Sequence, residues 1–324
     1  MKKSTIVLLI IAVSLLVGGM LLCLVGMMIS AKGFDFEKGW IALGNKHMVT
    51  NEYTISDDFS RIDAVVTTAD VEILPSTDDV TRVVCREDAR EIHKVFVEDG
   101  TLKIRVEEKP WYQKINLFSW GERKLTVYLA TTEYEGLSVK TNTGDVSVGS
   151  AISLASTDLC TDTGEIDFAA TVAGKLSIKV DTGDISVTSQ MLGSAEITAT
   201  TGDVSISGIT SGEIKIRTST GEIEAKTVSC QSFGAKSSTG EHEYERLTVA
   251  GTLTLESSTG DISMENCDAS EVKITTDTGD VEGHFLSPKV FYAKTDTGKV
   301  QVPKSTSGGL CEITTDTGNI KFSE

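Results

Sequence analysis

The dipeptide Thr-Gly returns at one fixed phase through the second half of the chain, and this constrains the fold more than any other feature. The pairs are Thr143-Gly144, Thr163-Gly164, Thr182-Gly183, Thr201-Gly202, Thr220-Gly221, Thr239-Gly240, Thr259-Gly260, Thr278-Gly279, Thr297-Gly298 and Thr317-Gly318. Successive glycines lie 19 or 20 residues apart. Counting each Gly as zero, positions −7 and −5 are mostly apolar, as in Leu176/Ile178 and Val272/Ile274. Positions +2 and +4 are apolar again, as in Ile185/Val187 and Val204/Ile206. Period-two alternation means a strand with one buried face. A third apolar spot near +7 (Ile209, Val228, Leu247, Cys267, Leu286) marks a further side or corner.

A unit of this length cannot bury its apolar face alone, so successive units must stack. Each strand then pairs with its copy one coil on, about 4.8 Å away. The expected fold is all-β: a parallel β-solenoid of about ten 19–20-residue coils. The low aromatic content (6%) suits a narrow interior filled by small and β-branched residues. Thr at −1 shares the parity of −7, −5 and −3, so it is expected to point inward at the corner. Gly permits a positive φ or a close approach between chains. Position +1 is acidic in eight copies, with Lys299 and Asn319 in the last two, and −2 is Asp in five. Both positions are expected to face water, where short acidic side chains cap backbone N–H groups.

Asp-Thr-Gly is also the tripeptide of aspartic proteases. Those enzymes bring two such turns together so that their carboxylates share a proton. Here the tripeptide recurs at one repeat phase with its Asp outward, which argues against that chemistry. Stacked carboxylates could instead bind Ca²⁺ through oxygen ligands, and Asp277, Asp280 and Asp296 are the densest group. Solvated turn acids are the simpler reading. No catalytic residue, cofactor site or other metal site emerges: nucleophile elbow, P-loop, dinucleotide fingerprint, CxxC and Cys/His cluster are all absent from the sequence. His47, His93, His242 and His284 have no obvious partner at repeat phase. Cys230 and Cys267 fall two coils apart, beyond disulfide reach, and read with Cys311 as buried small hydrophobes. Cys160, on an outward position, is either a free thiol or a partner of Cys85.

The first 136 residues differ. Lys2 and Lys3 precede an uncharged run from Ile6 to Ile29. As a helix it would be about 36 Å long, enough to cross a ~30 Å hydrocarbon core. Residues 1–31 therefore read as a cytoplasmic stub and transmembrane signal anchor, with the remainder extracytoplasmic; late cleavage near Ala31 is the alternative. Residues 32–50 read as a juxtamembrane linker, 51–136 as an irregular N-terminal β cap continuous with the solenoid, and 137–324 as the repeat solenoid. Thr68-Ala69-Asp70-Val71-Glu72-Ile73 echoes the corner, and Val95 to Val106 reads as a hairpin turning at Asp99-Gly100. Trp111, Tyr112, Phe118 and Trp120 cluster in one loop, where they can cover the first coil or anchor a partner. The chain ends six residues after Gly318, leaving an open C-terminal coil as an edge for self-association. A net charge of −17 argues against nucleic acid and anionic surfaces as partners.

Residues 51–324 resemble the bacterial "putative adhesin" β-strand-repeat family, domain of unknown function 4097. The resemblance rests on the TGDV/TGDI units at Thr143–Val146, Thr182–Ile185, Thr201–Val204 and Thr278–Val281. It rests also on the LTVYL strand at Leu125–Leu129 leading into LSVKTNTGDVSV. It implies a membrane-anchored surface protein of Gram-positive-type bacteria, some members lying near envelope-stress systems, and supplies no catalytic residues. The resulting expectation is a non-enzymatic interaction scaffold at the cell envelope. The alternatives are an accessory or sensor component of an envelope-stress system and a carbohydrate-active enzyme on a solenoid.

Overall fold

The computed structural model describes residues 48–89, 91–107 and 122–323, and these contain strands and turns without a helix. All of them belong to one compact unit. The segment expected to span the membrane and the stretch from Trp111 to Trp120 lie outside the described residues.

Seven strands form the N-terminal end: β1 (Met48–Ile55), β2 (Arg61–Val65), β3 (Asp70–Pro75), β4 (Thr81–Asp88), β5 (His93–Glu98), β6 (Thr101–Val106) and β7 (Lys124–Leu129). Each repeat then gives a long strand before its Thr-Gly corner and a short one after it. These are β8 (Glu133–Thr143) and β9 (Val146–Val148), β10 (Ser153–Thr163) and β11 (Ile166–Phe168), β12 (Thr171–Thr182) and β13 (Ile185–Val187), and β14 (Met191–Thr201) and β15 (Val204–Ser207). After β16 (Thr210–Thr220) the short strand runs on into the next long one, giving β17 (Ile223–Thr239), β18 (His242–Thr259) and β19 (Ile262–Thr278). The chain finishes through β20 (Val281–Phe285), β21 (Lys289–Thr297), β22 (Val300–Gln301), β23 (Gly309–Thr317) and β24 (Ile320–Ser323).

Stacking is parallel and in phase. Leu159 of β10 lies between Val139 of β8 and Ile178 of β12, and Ile166 of β11 between Val146 and Ile185. The result is a parallel β-solenoid in which ten Thr-Gly corners delimit about nine turns. Three walls line the interior. In β17 they are marked by Phe233/Ala235, by Ile223/Ala225 and by Val228/Cys230, all buried. The second corner falls six residues after the Gly, at Gly208, Thr227, Arg246 and Asn266, each with φ between 53° and 68°. A fully buried Val, Leu or Ile contributes about 1.5–3 kcal/mol, so these ladders outweigh exposed ion pairs worth about 0–1 kcal/mol each.

Two expectations about inward residues need correction. The Thr at −1 is exposed in all ten corners, and −3 is the buried corner position, filled by Thr141, Thr161, Thr218, Ser237, Thr276 and Thr315 among others. The strands run on to −1, but neither −2 nor −1 is buried, so the inward–outward alternation breaks one residue before the Gly rather than at it. Buried −3 hydroxyls donate to the Gly carbonyl of the adjoining coil, as from Thr161 to Gly144 (3.3 Å) and Thr315 to Gly279 (3.3 Å). Leu286 is exposed, whereas Ile209, Val228, Leu247 and Cys267 are buried. A register slip between β19 and β20 pairs Cys267 with Phe285 and turns Leu286 out.

Both ends depart from sequential stacking. After the Gly279 corner the chain skips one level and forms β21 and β22. It then returns to insert β23 and β24 into the level left open. Gly279 N donates to Thr317 O (2.9 Å) and Gly318 N to Thr297 O (3.0 Å), so the order in space is 279, 318, 298. The last coil of the sequence is therefore interior. The open edge is the preceding coil, where Tyr292 and Val300 are exposed. This corrects the expected C-terminal edge. The other end does the same in mirror: β2 and β3 lie between β6/β7 and β8/β9. The echo at Thr68–Ile73 stacks on the first corner, with Ala69 N donating to Thr143 O (3.1 Å). Beyond β6/β7, antiparallel β4 and β5 form a cap layer with β1 on the outer edge of β4. The β5–β6 hairpin turns at Asp99 and Gly100, both with positive φ.

Candidate functional site

The Thr-Gly corners are the most repeated surface feature. Their glycines carry φ from 139° to 158°. A Cβ at Gly221 would overlap the carbonyl oxygen of Gly202, and the same relation links every neighbouring pair of corner glycines. The corner path is thus open only to a residue without a side chain. Backbone bonds tie the levels together, as from Gly164 N to Thr182 O (3.0 Å) and Ile166 N to Asp184 O (3.0 Å).

The acids at +1 form a ladder of their own. Asp145 accepts the N–H of Glu165 (2.8 Å), Asp184 that of Asp203 (2.8 Å) and Asp203 that of Glu222 (2.7 Å). Asp261 accepts from Asp280 (2.7 Å), Asp280 from Asn319 (2.7 Å), and Asn319 from Lys299 (3.1 Å). The side chains making this bond are Asp or Asn. Glu165, Glu222 and Glu241 hold the same position and make no such bond to the next level, because one extra methylene carries the carboxylate past the neighbouring amide. The bonds from Asn319, its backbone amide first, hold the Asp280 carboxyl below the ordinary value. Glu222 titrates above the ordinary value through partial burial, followed by repulsion from Glu243 and Asp203.

This ladder decides the placement of the calcium candidates. Asp277 and Asp280 flank one corner, but the carboxylate of Asp280 is taken by the amide and side chain of Asn319. Asp296 belongs to the corner beyond, with the Gly318 level between them. The three are not brought together. Of the aromatic partner-loop residues, Trp111, Tyr112, Phe118 and Trp120, all lie outside the described residues.

Two buried polar groups escaped sequence reasoning. His242, with no exposed surface, receives or gives hydrogen bonds at both ring nitrogens: Nε2 to Ser237 Oγ (2.8 Å) and Nδ1 to Tyr244 OH (3.0 Å). Ser237 Oγ donates on to Ser257 Oγ (3.2 Å). Burial lowers the His242 pKa to about 4. The alternation of β18 placed His242 and Tyr244 on the interior row, which was the only available signal. The second group lies in the cap layer, where β4 turns into β5. Cys85 Sγ, a Glu87 carboxylate oxygen and a His93 ring nitrogen all lie within 4.8 Å of one another, and all three residues are buried. Glu87 accepts from Asn51 Nδ2 (2.6 Å), from the His93 amide (2.7 Å) and from His93 Nδ1 (2.5 Å). Tyr53 OH donates to His93 O (3.0 Å). Burial first, then the Glu87 charge, pushes the Cys85 thiol up to about 12. The expectation that no Cys/His cluster exists is therefore corrected. The ligand-type residues meet only because the strands face each other across the turn. Cys85 and Cys160 are both free, as are buried Cys230, Cys267 and Cys311.

One wall carries a shallow hollow of about 460 Å³ over Gly234, lined by charged residues of three adjoining coils. Its carboxylates are already paired, Glu213 with Lys215 (2.8 Å) and Glu256 with Lys236 (2.7 Å).

Fold and corners together define a Thr-Gly-cornered parallel β-solenoid. The Toastrack DUF4097 family profile matches residues 59–243 and 225–324, and the chain belongs to that family. Among solved structures it is similar to a "putative adhesin" of Parabacteroides distasonis, with 11% identity, 86% of this chain and 98% of that one covered, and a TM-score of 0.49. A "putative adhesin" of Parabacteroides merdae shares 12% identity over 87% of this chain and 98% of its own, with a TM-score of 0.43. A protein of Parabacteroides distasonis described as a "putative lipid binding protein" shares 18% over 87% and 98%, also with a TM-score of 0.43. No curated protein matches the chain.

Proposed function

We propose that this chain is a non-enzymatic interaction scaffold at a bacterial cell envelope, tethered by its N-terminal apolar segment with the solenoid outside. The observation that carries this reading is the use made of the corner residues. Their glycines, hydroxyls and short carboxylates are spent on holding one level to the next, and what faces water is a long surface repeated at strand spacing. The charged hollow supports binding over catalysis, because each of its carboxylates is already neutralised by a lysine.

The test is a pull-down of epitope-tagged full chain from intact bacterial cells, with and without added Ca²⁺, combined with protease shaving of those cells. The expected result is a specific envelope partner retained without Ca²⁺ and a solenoid cleavable from outside. A solenoid protected from external protease would rule out the topology. Capture that needs Ca²⁺ would reinstate the acidic corners as a metal-dependent surface.

A sensor role in an envelope-stress system is the second reading, favoured by the clustering of Trp111 and Trp120 in one stretch of an otherwise aromatic-poor sequence. Crosslinking from either Trp in cells should then trap a membrane protein, and replacing both by Ser should abolish the trap.

A further inference from the structure

We propose that the cap layer holds a single divalent transition-metal ion of the zinc class, ligated by Cys85 and His93 with Glu87 behind the imidazole. Three kinds of donor converge here, a thiol, an imidazole and a carboxylate, with their ligand atoms within 4.8 Å of one another. Tetrahedral zinc separates its ligand atoms by roughly 3.3–3.8 Å, and the observed spread is within about an ångström of that. The donor types select against calcium and magnesium, which take oxygen ligands, and for a borderline-soft ion.

A second observation is independent of that convergence. Among the described residues, His93 Nε2 is buried and has no hydrogen-bond partner. The other ring nitrogen faces a carboxylate oxygen and donates to it, so the position left without a partner is Nε2. A buried polar nitrogen left without a partner is destabilising, and a bound cation would satisfy it. A carboxylate holding Nδ1–H is also the arrangement by which metal-ligating histidines are oriented and made more basic. Glu87 is itself fixed by Asn51 and the His93 amide, so the ring has little freedom to turn away. On binding, the Sγ–metal bond forms as the Cys85 thiol releases its proton to solvent.

The experiment uses the full chain, purified in mild detergent, stripped with chelator and dialysed against micromolar Co²⁺ or Zn²⁺. Metal content and the absorption spectrum are then read. The wild type should retain about one equivalent and show a thiolate-to-cobalt charge-transfer band. Cys85→Ser should lose the band, His93→Gln should lose uptake, and Glu87→Gln should weaken affinity by about 10–100-fold. Cys160→Ser should change nothing. Circular dichroism on each variant separates lost binding from lost fold. No retained metal in the wild type overturns the proposal. So does a charge-transfer band that survives Cys85→Ser and disappears in Cys160→Ser, which would place the ion on the surface thiol.

Discussion

At Gly221, one added methyl group would sit within the carbonyl oxygen of Gly202. Gly221→Ala should therefore cost roughly 2–4 kcal/mol in a urea titration, through steric overlap and a φ of 146° that L-residues rarely adopt. Gly234 is the matched control: nothing lies within 4 Å of a Cβ built there, and Gly234→Ala should be neutral or slightly stabilising. The same resolution applies to the acidic ladder. Asp203 accepts the Glu222 amide, so Asp203→Asn should keep most of the stability while Asp203→Glu should lose about 1 kcal/mol. A loss in Asp203→Asn with none in Asp203→Glu would mean that charge, not reach, matters at +1. The need for Gly was legible from the sequence. The direction of its neighbouring Thr was not, because strict alternation ends at −2 while the strand itself continues to −1.

Within an element, β18 shows what the repeat tolerates. It substitutes His242 and Tyr244 for apolar residues and keeps both by bonding His242 to Ser237 on one side and to Tyr244 on the other. The folded chain takes up a proton on His242 near pH 4, the unfolded chain near 6.5. Between these values the unfolded state binds more protons, so stability is full above pH 6.5 and falls on acidification by about 3 kcal/mol in total. Denaturant midpoints from pH 7 to 4 should show this slope in the wild type and a shallower one in His242→Gln. At the C-terminal end the pair β23/β24 fills the level between β19/β20 and β21/β22. Deleting residues 309–324 should strip exchange protection from Lys289–Thr297 as well, although that segment is retained; continued protection there would show that β21 can re-pair directly with β19. The sequence could not reveal this order. Thr276–Gly279, Thr295–Gly298 and Thr315–Gly318 all read Thr-Asp-Thr-Gly, so any of the three corners could stack on either of the others.

For the whole molecule, the period announced the architecture because 19 residues with three apolar sites admit little besides a stacked coil. What the period could not show were the non-repeating parts: the cap layer, and the Cys85–Glu87–His93 meeting place built from two strands facing across a turn. The inserted levels at both ends carry one more consequence. A unit appended after residue 323 would find the next level already filled by β21/β22, and a unit added before β2 would meet β6/β7. A protein wound in this way has no free level directly beside either inserted pair of strands. It can gain or lose coils only from the sequentially wound stretch between Gly144 and Gly279, so relatives of different length should differ there while sharing both interlocked ends.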